Sequence, residues 1–220
     1  AFLACSVTFN APCVPGKTTA IIYALDKDDP LFSKPATISY ETKKIRTQES
    51  STTFFTALAF SHQEADHLAG IIDNNILQQG ILVFNWRVNE VIQQISIKGS
   101  VTCLSFFPND SWKLCCSGRP NFLQYWHFNG RYANQAPIGD ANVPKRDYTC
   151  HVWLDEHNLL VGSTDGYVSL IKGCDVIQHV RVFEKLRDGD VSYDEIGVDH
   201  IVNNADVVMV CNTHNIVACL

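Results

Sequence analysis

The sequence predicts an all-β chain, part of a β-propeller built from WD40-like four-stranded blades, and three observations carry that expectation. Almost every apolar run is five to eight residues long, rich in Val, Ile, Phe, Tyr and Thr, and bounded by Gly, Asn, Asp or Pro. No long segment shows a capped apolar period of 3.6 residues. The runs also recur as sets, at an interval close to that of a propeller blade.

In chain order the runs include Thr19–Leu25, Phe54–Phe60, Ile81–Arg87, Val91–Ile97, Val101–Phe107, Phe122–Phe128, Tyr148–Leu154, Tyr167–Ile171 and Val176–Phe183. FTALAFSHQEADHLAG (55–70) aligns with VTCLSFFPNDSWKLCC (101–116), 46 residues on. Each is an apolar strand ending in Phe, a polar turn and a second apolar strand. YTCHVWLDEHNLLVGS (148–163) repeats the pattern after 47 more, with Trp153 where Phe106 stood. A weaker copy, VDHIVNNADVVMVCNT (198–213), follows after about 50.

A third strand follows each pair: ILVFNWR with Trp86, FLQYWHF with Trp126, and the weaker YVSLIKG. A fourth closes two of the units, VIQQISI (91–97) and VIQHVRVF (176–183). The turn Phe106-Phe107-Pro108-Asn109-Asp110 sits where WD repeats carry a Phe-Ser-Pro-Asp-Gly-like turn. Trp86 and Trp126 end their third strands as the repeat's tryptophan does. The following aspartate is replaced by Arg87 and His127, so the repeats are degenerate.

The expected organisation of 1–220 is a partial array: a blade tail over about 1–45, blades over about 54–97, 101–146 and 148–183, and the start of a further blade at 198–220. Because closure disposes of sheet edges, such an array is expected to be a segment of a longer polypeptide.

Composition narrows the function classes. Hydrophobic residues make up 46% and charged residues 18%, the balance of an ordinary globular protein. A net charge of −6 argues against a nucleic-acid or anionic-membrane binder, which needs a basic face. No apolar run approaches the roughly 20 residues of a membrane-crossing helix. Ala1–Phe9 is too short and polar-spotted for a secretory signal. The nine cysteines form no C-x-x-C and lie mostly in apolar runs, so a reducing compartment, the cytosol, is expected.

Several groupings invite a chemical reading, and each has a plainer one. Ala11-Pro12-Cys13-Val14-Pro15-Gly16-Lys17-Thr18 meets a relaxed phosphate-loop pattern. Its prolines remove two N–H donors from the cradle, and a strand rather than a helix follows, so a hairpin loop is expected. The acidic groups Asp26, Asp28, Asp29 and Asp188, Asp190, Asp194, Glu195 lack calcium-loop spacing and read as solvated loops. Cys103, Cys150 and His200 occupy equivalent places in three first strands, with Ala57 in the earlier copy. They read as packing, since blade-related positions are too far apart for one zinc. Cys115 and Cys116 are adjacent, so their side chains point to opposite faces. His151 could be paired on paper with Asp155 or Asp165, but an inter-strand role is favoured. Phe60, Trp86, Phe106, Trp126 and Trp153 are expected in blade cores. No catalytic, cofactor-binding or metal-binding residue is assigned.

These segments together, with HVWLD (151–155), VGSTDG (161–166) and VFNW (83–86) the most suggestive, resemble the WD-repeat cilia- and flagella-associated proteins of the axoneme over about residues 1–183. The resemblance implies tandem propellers followed by coiled coils in the full-length protein. It also implies a non-enzymatic scaffold in the cytoplasm and cytoskeleton of the cilium or flagellum. Expected partners are doublet-microtubule proteins or regulators of inner dynein arms, with no nucleic acid, membrane, small-molecule substrate or cofactor. Two other classes stand beside it: a WD-propeller adaptor of another cytosolic complex, and an enzyme on a propeller, which would need polar side chains converging at a central channel.

Overall fold

The computed structural model describes residues 2–7, 17–24, 34, 36–41, 54–62, 66–73, 79–129, 132–137, 145–183, 187–188, 191–192, 197–204, 207–212 and 217–219. Among them all regular structure is β-strand, in antiparallel sheets whose strands follow one another in sequence order. Neighbour-to-neighbour pairing of this kind needs only tight turns between strands. The chain divides into two compact units: residues 1–98 with 129–133, and residues 99–128 with 134–220.

In the first unit, β1 (Phe2–Val7), β2 (Lys17–Ala24) and β3 (Ala36–Glu41) form a three-stranded sheet. β4 (Phe54–Phe60), β5 (His67–Asp73), β6 (Gln79–Asn85) and β7 (Glu90–Ile97) form a four-stranded blade. Both sheets feed one apolar cluster, in which Ile22 meets Phe55, Leu68, Ile72, Leu82, Phe84 and Trp86. The Phe55–Phe84 and Phe60–Trp86 rings meet edge to face, each pair 6.2 Å apart, the arrangement ring quadrupoles favour. Gly70 is required here, because a Cβ would lie 2.6 Å from the Phe55 ring. The β6–β7 turn places Asn89 at φ 54°, a conformation Asn tolerates better than most residues.

In the second unit, β8 (Ser100–Phe107), β9 (Asp110–Arg119), β10 (Phe122–Phe128) and β11 (Ala133–Pro137) make one blade. β12 (Tyr148–Trp153), β13 (Asn158–Ser163), β14 (Tyr167–Lys172) and β15 (Asp175–Arg181) make the next. The short pair β16 (Arg187–Asp188) and β17 (Val191–Ser192) follows, then a three-stranded sheet of β18 (Val198–Asn204), β19 (Val207–Asn212) and β20 (Val217–Cys219). The Phe106–Asp110 turn is a two-residue hairpin, with Phe107 opposite Asp110. Lys172 opposite Asp175 encloses another, with Gly173 at φ +62° supplying the left-handed step.

One irregularity recurs. The first strand of each of four sheets carries a bulge at Thr56, Thr102, Thr149 and Asp199, where register slips between Phe55 and Ala57, Val101 and Cys103, Tyr148 and Cys150, and Val198 and His200. A bulge leaves one residue outside the ladder and re-aims its side chain.

The phosphate-loop segment lies outside the described residues except for Lys17 and Thr18, which begin β2. The acidic loops also lie outside them, except Asp188 in β16.

Candidate functional site

The polar groups that converge in the second unit lie between its two four-stranded blades. Residues opposite one another in an antiparallel sheet share a face. Cys103, Ser117 and Leu123 therefore form one row across β8–β10, and Ser105, Cys115 and Tyr125 the next. This face meets the blade of β12–β15, where Tyr148, Leu159, Val161 and Ile171 complete a shared apolar cluster. Phe107, Tyr125 and Trp153 close one side of it, with Phe107 4.8 Å from the Tyr125 ring and 4.5 Å from Trp153.

His151 enters this interface from β12. Its Nδ1 lies 2.8 Å from the Ser117 hydroxyl and its Nε2 2.8 Å from that of Ser105. The Trp153 indole N–H donates to Ser105 Oγ at 3.0 Å. Beside it, the bulged Thr102 donates its hydroxyl to the Thr149 carbonyl at 2.9 Å. A neutral imidazole, one nitrogen donating and one accepting, suits a pair of hydroxyls, which can do either.

A serine against a histidine is also the start of a nucleophile–base pair. Here the surroundings disable it. His151 is buried, and burial alone pulls its imidazole down to about 4, so it is neutral near pH 7. Both ring nitrogens are occupied by hydroxyls, and no carboxylate appears among the ring's hydrogen-bond partners. Burial likewise raises the thiols of Cys103 and Cys115 and pushes Cys150 up to about 12. Each shift disfavours the thiolate that nucleophilic attack needs. Among the described residues, no three His, Cys, Asp or Glu side chains gather as metal ligands.

Asp155 and Asp165, the carboxylates nearest His151 in sequence among those considered for it, bond elsewhere. Asp155 accepts from the Asn158 side chain at 2.6 Å and from the backbone N–H groups of His157 and Asn158, bonds that hold its carboxyl below the usual range. Asp165 pairs with Arg146 and accepts from Ser163 at 2.5 Å. Cys150 is buried as expected of a packing residue, whereas its repeat partner His200 is exposed. That corrects the expectation of packing at position 200: His200 shares its face with the exposed Val202, Met209 and Val217.

The second interface of this unit reuses the same layout with other side chains. The row of Cys150, Gly162 and Val168 and the row of Val152, Leu160 and Leu170 meet Val198, Ile201 and Val210 of β18–β20. Thr149, the bulged residue, again donates its hydroxyl to a backbone carbonyl of the next sheet, that of Val198. Gly162 makes room, for a Cβ there would lie 2.5 Å from Val198 Cγ1 and 2.8 Å from Cys150 Sγ. Asn203 donates to the Trp153 carbonyl at 3.1 Å.

Outward, apolar side chains stand in solvent on β15 (Ile177 and Val180) and on β18–β20 (Val202, Val207, Met209 and Val217). β15 is exposed along nearly its whole length. A strand edge with apolar side chains is a surface to which another chain can add.

No protein-family model matches the chain, and no curated protein matches it. Among solved structures it is similar to the β-propeller domain of Cps50 (Swd1) from Myceliophteria thermophila, at 12% identity and a TM-score of 0.62. The match covers 92% of this chain and 58% of that one. It is also similar to the computationally designed Ika4 protein, at 14% identity and a TM-score of 0.52, over 80% of this chain and 94% of that one. At such identities the likeness shows the fold, which is that of a β-propeller. The chain spans 58% of the Cps50 domain it matches.

Proposed function

We propose that this chain is a non-catalytic protein-interaction scaffold of the ciliary axoneme, docking on doublet-microtubule complexes or on regulators of inner dynein arms. The observation that carries the scaffold reading is where the polar chemistry goes. His151, Ser105, Ser117 and Trp153 are spent on joining one blade to the next, while exposed apolar side chains stand on β15 and on β18–β20. A stiff support with variable loops and strand edges suits binding to several partners. The axonemal placement rests on the order and character of the blade sequences over about residues 1–183. An acidic chain is poorly matched to the acidic surface of tubulin, so adaptor proteins and dynein subunits are the favoured partners.

Fractionation of demembranated cilia tests this, with mass spectrometry for the protein before and after high-salt extraction. Retention with the doublets, or release together with inner dynein arms, is the expected result and identifies the complex. Recovery only in a soluble cytosolic assembly would remove the ciliary placement and favour an adaptor of another complex.

A further inference from the structure

Among the described residues, three four-stranded blades end in an outer strand, and those strands differ. β7 buries Ile95 and Ile97. β11 ends in Pro137, which has no N–H to offer a further strand. β15 does neither, and residues 177–181 are exposed throughout. Its backbone is aimed as well as open. Val182 donates its N–H to the Gly166 carbonyl at 3.0 Å. Alternate residues of an antiparallel strand turn their backbone groups to the same side, so Val182, Val180 and Gln178 bond towards β14. The N–H and C=O groups of His179 and Arg181 therefore point away from it. The bulge at Ile177 ends this regular stretch. Side chains at the same two positions gather on one ring: the Arg181 guanidinium carbon lies 5.7 Å from the Tyr167 ring centre, and the His179 ring 6.0 Å. Arg146 stacks on that ring at 3.8 Å and is paired with Asp165. Arg181 has no ion-pair partner among the described residues.

We propose that the free edge of β15 is a docking strand for an extended segment of a separate protein, which adds to the blade with a carboxylate side chain opposite Arg181. Outward N–H and C=O groups on alternate residues are what an added strand bonds to. The unpaired charge at this edge is positive on a chain of net charge −6, so complementarity selects an acidic segment. A second copy of β15 is a poor occupant. Pairing the strand with itself through these residues sets Arg181 opposite His179 or opposite its own counterpart, with no carboxylate to meet either. The regular edge is short, so the contact is weak and reversible. The inference deepens the scaffold reading and rests on it, but not on the axonemal placement.

Fluorescence anisotropy tests it on the native polypeptide, with two labelled peptides, Glu-Val-Glu-Val-Glu and Lys-Val-Lys-Val-Lys. The net charge of the chain favours the lysine peptide, so a preference for glutamate must come from the local edge. The expected result is binding of the glutamate peptide at least about tenfold tighter than the lysine one, with the order reversed in Arg181→Glu. His179→Pro removes an N–H that makes no bond to β14, so it should weaken the glutamate peptide by about fivefold or more at an unchanged urea midpoint. A glutamate peptide methylated on its glutamate backbone nitrogens makes the same test without altering the protein. No binding by about 1 mM peptide, or equal affinity for the two peptides, would overturn the proposal. Undiminished binding of the methylated peptide would also overturn it, leaving an ionic contact without strand addition. Any of these failures removes β15 as a docking strand, whereas failure of the axonemal placement is read separately, from the fractionation of cilia.

Discussion

The two interfaces of the second unit share a backbone plan and differ in chemistry. Between β8–β11 and β12–β15 the matched positions are Ser105 and Ser117 on one side and His151 on the other. One blade later the same positions hold Val152, Gly162 and Ile201, and the contact is apolar. Polarity changes on both sides together. Docking geometry is therefore set by the backbone, through the recurring bulge and the row alignment, and each interface needs only a set of side chains consistent within itself. A half-changed set would leave buried hydroxyls unpaired, which costs more than either complete set.

That view can be broken most severely at Gly162. Gly162→Val is expected to destabilise the chain by about 3 kcal/mol, read from the urea midpoint, because the added methyls must displace Val198. The same change at an exposed strand position such as Gln178 should be nearly silent.

Acidification separates the two interfaces. His151 titrates at about 4 in the folded chain against roughly 6.5 when unfolded, so between those values the unfolded chain holds more protons. The interface's contribution is intact above about pH 6.5 and declines as pH falls toward 4, on the order of 3 kcal/mol in all. A His151→Ile variant should lose this pH-dependent part, and unchanged acid sensitivity would discard the assignment.

At neutral pH, His151→Ile alone should cost about 2 kcal/mol, since Ser105 and Ser117 lose their partner. Adding Ser105→Val and Ser117→Ala imports the chemistry of the other interface and should restore at least half of that loss. A triple variant no better than the single would show that the polar set has a role the apolar one cannot fill. The smallest effect is expected at Tyr125, whose buried hydroxyl has no hydrogen-bond partner. Tyr125→Phe should raise stability by up to about 1 kcal/mol, seen as a higher urea midpoint at unchanged slope.

The fold class was legible in the sequence because its signals are local and repeated. Phe, Val and Ile at alternate positions mark half-buried strands, and their recurrence marks blades. Strand β11 shows what escapes that reading. β11 (Ala133–Pro137, ANQAP) has no apolar alternation and carries a proline, which only an edge strand tolerates; pairing with β10, not its own side chains, makes it a strand. The partners of His151 were hidden for a different reason. Ser105 and Ser117 lie 46 and 34 residues away, whereas Asp155 and Asp165 lie close in sequence. Aligning the repeats offers the signal that could have found Ser105. Ser105 is a hydroxyl at a place where the next copy has Val152, and His151 stands where the copy after has Ile201; Ser117 aligns with Thr164, and its match to Gly162 emerges only from the strand register. The aromatic positions were plainer, with Trp86, Phe106 and Trp126 buried and Phe60 and Trp153 packed against cores.

The bulges fall at residues 56, 102, 149 and 199, so successive units differ in length by a few residues while the irregularity keeps its place. It works as a phase marker. Whatever is added to or lost from the connecting turns, the first strand of each sheet restarts in step, and the alignment of its rows is restored. Length variation is thereby confined to the turns, where the chain can gain or shed residues and acquire new contacts without losing count.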